Sequence, residues 1–243
     1  MSMQSEVRAE LLSFDQIEKY IAESPIVYVP VGALEFHGAH LPIGLDGLTA
    51  HGVCVAAAQI TGGIVLPVMY QGTGGEHSNY PWTIMMPDHF SIEKNLVATL
   101  ERLQTLGVRS CVILSGHFAN EQREFLSNLN RKWNSITSNS MQLETASMAD
   151  HESAIVPADH AGYFESMMLA AIHPELVNLD KLPDPESHPS VDPDDNLFGQ
   201  HRHSESHALW GIFGTDPRGK SLQKAPDLLN EFATWLANLA KLK

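Results

Sequence analysis

Three times in the first 130 residues the sequence repeats one order: an apolar β-branched run, a polar glycine-rich segment, then apolar positions at helical spacing. The runs are Ile26–Val31, Ile64–Met69 and Val108–Leu114. Short apolar runs bounded by turn residues form buried strands, and strands alternating with helices build a parallel sheet with helices on its faces. The expected fold is therefore α/β: a single compact domain over residues 1–243, with a mainly parallel sheet flanked by helices in three layers. Such a sheet brings all its strand-to-helix loops to the carboxyl edge, where residues remote in sequence meet.

The remaining elements follow from local signals. Ser13 with Gln16 reads as a capping box that opens a short helix carrying Ile17, Tyr20 and Ile21, and Pro25 ends it. Small and apolar residues from Leu48 to Ile60 predict a helix packed closely on the sheet. Ser91 reads as the cap of an amphipathic helix with Ile92, Leu96, Val97, Leu100 and Leu103 on one face. A further helix carries Phe125, Leu126 and Leu129, a weaker strand spans Gln142–Met148, and residues 164–172 read as helical. Segment 181–207, rich in Pro, Asp, His and Ser, reads as a long loop or flap rather than a second domain. The final helix, near 226–241, buries Leu228, Leu229, Phe232, Trp235, Leu236 and Leu239.

The chemistry gathers after the first strand. Glu35, His37, His40 and Asp46 fall within twelve residues, separated by Gly38, Pro42, Gly44 and Gly47, and are expected on a structured loop. Carboxylate oxygen and imidazole nitrogen are the ligands that zinc, manganese and iron share. An asymmetric cluster with a spare carboxylate points to two ions sharing a bridge, and Asp46 is the natural bridge. Such a pair can generate hydroxide near neutral pH and polarise a carbonyl at once. Glu35 and His37 are expected to point to opposite sides of an extended piece and so to serve different ions. His117, directly after the third strand, would complete the first ion's set. His40 is either a further ligand or a support behind the ligands.

Four stretches carry a resemblance. Pro30-Val-Gly-Ala-Leu-Glu-Phe-His-Gly-Ala-His-Leu-Pro-Ile-Gly-Leu-Asp46, Gly116-His-Phe-Ala-Asn120, His160-Ala-Gly-Tyr-Phe-Glu-Ser166 and Gly214-Thr-Asp-Pro-Arg218 together resemble the creatininase (creatinine amidohydrolase) family. The resemblance implies a compact α/β metallohydrolase that cleaves amide C–N bonds and assembles as a homo-oligomer, often a hexamer. It implies Glu35, Asp46 and His117 around one divalent ion, His37 and Asp46 on a second, and His160 in proton transfer. Zinc is the first expectation for both ions, with manganese or iron as alternatives. The family's creatininases carry a ligating glutamate two residues after the histidine of the second stretch, where this chain has Ala119. Relatives lacking it keep a glutamate in the third stretch, here Glu165, which makes that residue the expected replacement ligand. Ser166 stands where threonine is usual. The departure at Ala119 tells against creatinine itself as substrate.

Several residues have two readings. Glu76 and His77 line the substrate pocket or bond loop backbone. Phe118 and Trp82 form an apolar pocket wall or pack in the core. Asp159 orients His160 or caps the helix that follows. His201, His203 and His207 form either a third metal cluster or an exposed, flexible stretch.

Charge and cysteine count narrow the class. The chain has 29 acidic and 15 basic residues, a formal charge of −14, which argues against nucleic acid or an anionic membrane as partner. Its 13 histidines fit metal chemistry. The two cysteines, Cys54 and Cys111, sit among apolar neighbours and read as free thiols in a reducing cytoplasm. No apolar run reaches the length of a membrane span. The expected protein is a cytoplasmic hydrolase of a small cyclic or linear amide, such as a lactam-like ring or a formamide. Two divalent ions activate the water and His160 protonates the departing nitrogen. A carbohydrate-like lactone or ketone is a further candidate substrate. The rival from another class is a small-molecule-binding protein on the same scaffold that has lost activity.

Overall fold

The computed structural model describes residues 6–241. Its sheet contains β1 (Ile26–Gly32), β2 (Ile64–Val65), β3 (Met69–Tyr70), β4 (Ser110–Ser115) and β5 (Gln142–Ser147), and every pairing is parallel. The order is β2-β1-β4-β5, with β3 continuing the edge beside β1. From β1 the chain first steps to one side and then returns to build β4 and β5 on the other. The crevice between the carboxyl ends of β1 and β4 is therefore the switch point where α/β sheets bind ligands.

Alternation along the strands divides the core into two layers. Tyr28, Val112 and Leu114 face α2 (Leu45–Thr61), α5 (Tyr163–Ile172) and α6 (Ala225–Leu239). Val27, Val29, Val31, Cys111 and Ile113 face α1 (Phe14–Glu23), α3 (Phe90–Thr105) and α4 (Asn120–Ser135). Cys54 lies in the first layer and Cys111 in the second, so the sheet separates the two free thiols. In α6, Leu228, Phe232 and Leu236 recur on one turn-spaced face and are buried against the sheet. Each such side chain contributes about 1.5–3 kcal/mol.

The capping box at Ser13 is present, with the Ser13 N–H donating to Gln16 Oε1 at 2.8 Å. Three boundaries differ from the sequence reading. The run Ile64–Met69 splits into β2 and β3 because Pro67 has no N–H for the ladder. Three residues of this edge, 66–68, stand opposite Val29 and Pro30 of β1, so the register gains one residue on the strand that carries Pro67. The third helix starts at Phe90, with His89 rather than Ser91 at its cap position. The second helix starts at Leu45, which puts Asp46 in a helical first turn and not on the preceding loop.

Segment 181–207 carries short 3₁₀ turns at Pro193–Asp195 and Gln200–His203. It is not a free flap. Arg218 reaches back to the Pro183 and His188 carbonyls at 2.8 and 2.9 Å, and Arg202 pins its other end. No helix among the described residues is long and apolar enough to cross a membrane.

Candidate metal centre

The site is built on two glycines. A side-chain carbon on Gly32, the last residue of β1, would lie 2.4 Å from the Gly47 nitrogen. One on Gly116, directly after β4, would lie 2.0 Å from the Asp46 carbonyl oxygen. With hydrogen at both positions, the first turn of α2 seats directly on the ends of β1 and β4. Asp46 is thereby held in the switch-point crevice, its Oδ2 accepting the Ala33 N–H at 3.1 Å. A helix N-terminus favours a carboxylate.

The segment after β1 folds back as a loop closed by the Glu35 N–H donating to the Ile43 carbonyl at 2.8 Å. Glu35 and His37 both point into the crevice, contrary to the expectation of opposite sides. Alternate residues of an extended chain share a face, and it is the intervening Phe36 that points away, against Tyr80 and Trp210. His37 Nε2 lies 3.0 Å from Asp46 Oδ1 and 3.5 Å from Glu165 Oε2. His117 Nδ1 lies 2.9 Å from Glu35 Oε2 and 3.4 Å from Asp46 Oδ2. Asp46 therefore turns one oxygen to each histidine. The donor atoms of Glu35, Asp46 and His117 lie within 4.8 Å of one another, as do those of His37, Asp46 and Glu165.

Proton positions show why this arrangement fits cations. His37 Nδ1 donates to the Glu35 carbonyl at 2.8 Å, so in the neutral ring Nε2 carries a lone pair aimed at carboxylate oxygens. That contact is repulsive unless a proton or a metal ion stands between. Burial opposes charge on His37, but Glu165 and Asp46 outweigh it and lift the ring to about 10. His117 rises well above its usual range in the same way: Asp46 and Glu35 override burial. Glu35 and Asp46 are held low despite burial, Glu35 by the three imidazoles around it, His160, His117 and His77, and Asp46 by His37 and His117. Oxygen and imidazole donors, buried and facing one another, make a set that divalent ions would satisfy.

Glu165 sits in the first turn of α5 and points into the crevice, its Oε2 also accepting the Ala161 N–H at 2.6 Å. Ala161 adopts a left-handed backbone (φ +55°), rare for a residue with a side chain, and this turn aims His160 and Glu165 at one place. His160 Nε2 donates to the Phe36 carbonyl at 3.1 Å, leaving Nδ1 as the free ring nitrogen. Burial, with the charges of His37 and His77, outweighs Glu35 and lowers His160 to about 3. Asp159 caps α5 by accepting from the Gly162 and Phe164 N–H groups at 3.2 Å. Burial raises its carboxyl to about 7. His40 is buried behind the site, 3.3 Å from Ser166 Oγ, and its donor atoms join neither cluster.

The other expected residues fall at different distances from the crevice. His77 Nδ1 makes a short contact to Glu35 Oε1, and its ring stacks on His160 at 4.2 Å between centroids. Glu76 is on the rim, accepting from Gln200 Nε2 at 3.0 Å. Phe118 packs on the core and faces Phe164. Trp82 is 79% exposed, so it belongs neither to the core nor to a closed wall.

The three late histidines separate. His203 bonds Tyr80 Oη at 2.8 Å on the rim, while His201 and His207 approach Asp192 at 2.8 and 3.7 Å. These last two are half-buried rather than loosely exposed, yet Asp192, His201 and His207 make a poor metal centre. His207 Nδ1 accepts the Leu209 N–H, so its proton sits on Nε2, the atom facing Asp192, and Asp192 is already taken by Arg202. Sequence reasoning missed Phe213, which pairs with His160 through two backbone bonds of 2.8 Å, and it missed Arg202. The nearby Gly214-Thr-Asp-Pro-Arg218 stretch was the only available signal.

The model of the family described as creatinine amidohydrolase matches residues 10–240. The chain belongs to the creatininase family. Its buried carboxylate–imidazole clusters fit a metal-dependent hydrolase. It is 26% identical over 206 residues to the creatinine amidohydrolase of Pseudomonas putida, covering 74% of this chain and 78% of that one. A shorter match, 27% over 109 residues, links it to the 3-dehydro-scyllo-inosose hydrolase of Thermotoga maritima, covering 44% and 35%. The fold matches a crystal structure of creatinine amidohydrolase with a TM-score of 0.76 at 23% identity, over 96% of each chain. It also matches a manganese creatininase with a TM-score of 0.72 at 22% identity, over 96% and 97%.

Proposed function

We propose that this chain is a dinuclear metal-dependent hydrolase that cleaves the C–N bond of a small cyclic or linear amide. The observation that carries the reading is the division of Asp46, one oxygen toward His117 and the other toward His37. Glu35, His117 and Asp46 would hold one ion; His37, Asp46 and Glu165 would hold the other. Glu165 thus supplies the carboxylate that Ala119 lacks, giving each ion three protein ligands, the usual number in a catalytic zinc site. When bound, the two ions supply Lewis acidity, lowering the pKa of a water and polarising the scissile carbonyl.

The chain's own residues manage the proton. His160 is neutral, and the Phe36 carbonyl fixes its tautomer so that Nδ1 is the basic atom. Nδ1 takes a proton from the attacking water and returns it to the departing nitrogen, without which an amide does not expel its amine. Phe213 and His77 pack against the ring and hold its plane.

Relatives support the substrate class. Solved creatininases include one of Zn-Zn type, a manganese form and one complexed with creatine. The Thermotoga maritima relative gives a carbohydrate-like ketone a place in the screen. We expect a homo-oligomer, in hexameric form as the family resemblance implies, working in the cytoplasm. The deciding experiment is hydrolysis of creatinine, formamides, lactams and a carbohydrate-like ketone by protein loaded with zinc, manganese or iron. Turnover that chelator removes and metal restores supports the enzyme. A protein that binds small amides, holds no metal and turns nothing over is the inactive binder.

A further inference from the structure

Arg202 is the largest fully buried side chain among the described residues. Its Nε and Nη2 donate to the two oxygens of Asp192 at 2.7 and 2.6 Å. Its Nη1 donates to the carbonyls of Ile212 and Gly214 at 2.9 and 2.8 Å. Phe213, the residue between them, turns its own N–H and carbonyl the other way, to the carbonyl and N–H of His160. Residues 212–214 are thus an extended ribbon with Arg202 along one edge and His160 along the other. The Gly211 N–H donates to the Arg202 carbonyl at 2.9 Å and fastens the same ribbon a second time.

We propose that Arg202 is a positioning residue for His160, acting through the backbone of Ile212, Phe213 and Gly214. The proposal rests on the reading of His160 as the proton carrier. A buried ion pair does not by itself make a fold more stable than apolar packing would. What the guanidinium supplies here is shape: a planar fork that spans one carboxylate and two carbonyls, which a lysine ammonium cannot do. Asp192 also takes His201 Nε2 at 2.8 Å, so the acid–histidine group that is unsuited to a metal has a use in fixing the fork. Segment 190–214 is then a rigid wall of the site. Moving the ribbon would carry His160 off the Phe36 carbonyl that sets its tautomer.

The test uses the zinc-loaded full chain with Arg202→Lys, which keeps the charge and loses the fork. Hydrogen–deuterium exchange is followed in peptides covering residues 157–164 and 210–216, with peptides from β1 and β4 as reference, beside zinc content and turnover of the amide identified in the screen. The expected result is full zinc, unchanged exchange in β1 and β4, and exchange about tenfold or more faster in the two peptides, the mark of local opening. Turnover should fall about tenfold or more in kcat with KM unmoved, as misplacement of a reacting group does. Unchanged exchange in the two peptides, or a rise spread over the whole sheet, would overturn the proposal. If Arg202→Lys does not fold, Asp192→Asn keeps the bonds to the carbonyls and removes the charged partner; a smaller rise in the same two peptides is expected, and none refutes it. The exchange result reads the hold on His160 without reference to chemistry, whereas His160→Ala reads the proton role itself, so the two ideas fail separately.

Discussion

Loading zinc into the metal-free protein at pH 7 is expected to release about two protons per chain. Without metal, His37 Nε2 lies 3.0 Å from Asp46 and His117 Nδ1 lies 2.9 Å from Glu35, and both rings hold protons there at neutral pH. Burial opposes those charges, yet Glu165 and Asp46 lift His37 to about 10, and Asp46 and Glu35 lift His117 well above its usual range. Each zinc needs the lone pair that such a proton occupies. For His37, three pH units below its titration point, the proton weakens binding at pH 7 about a thousandfold relative to the bare ring. Affinity for the pair of ions should rise about a hundredfold per pH unit while both rings remain protonated. Calorimetric zinc titrations in buffers of different ionisation enthalpy give the proton count as the slope of apparent against buffer enthalpy. A slope below one proton per chain would refute the geometry, since it would mean that the metal does not enter between these histidines and carboxylates.

Asp46→Ala should remove both ions and all hydrolysis while the fold persists, because the sheet and helices pack without it; a variant with full metal content would end the bridging role. His160→Ala should keep its metal and lose on the order of 10²-fold or more in kcat, the usual size of a general acid–base contribution; metal loss would make it a ligand instead. A bidentate bond from Arg202 holds the Asp192 carboxyl at about 2, against an ordinary value near 4, so this pair stabilises the fold above about pH 4 and ceases to do so as pH falls through about 2. The melting-temperature gap between wild type and Asp192→Asn should therefore be full at pH 7 and close between pH 4 and pH 2; a gap independent of pH would contradict the pairing.

The parallel sheet was legible because Ile26–Val31, Val108–Leu114 and the weaker Gln142–Met148 each read as buried strands, and the structure places strands at all three. Glu35, His37, Asp46 and His117 were legible as one group for the same reason: parallel strands put their following loops at one edge, however far apart they are in sequence. What sequence spacing alone concealed was orientation. Glu35 and His37 share a face, and Asp46 is helical because Gly32 and Gly116 let α2 begin against the strand ends. The edge strand broke at Pro67, a break that the proline in the run marks although the apolar pattern continues across it. His201, His203 and His207 look like one cluster at two- and four-residue spacing, but a 3₁₀ turn sends His203 to Tyr80 and leaves the others with Asp192. Arg202 was hidden because a lone arginine in a polar segment gives no sign of being buried; only the tertiary fold shows the carbonyls it reaches.

The most direct measurement is the metal content of wild type beside Glu165→Gln, by plasma mass spectrometry after exhaustive dialysis against metal-free buffer. A dinuclear centre completed by Glu165 predicts about two ions per chain in wild type and about one in Glu165→Gln, because His37 and Asp46 alone are too few ligands for a catalytic ion. One ion or none in wild type, or two retained in Glu165→Gln, would contradict it.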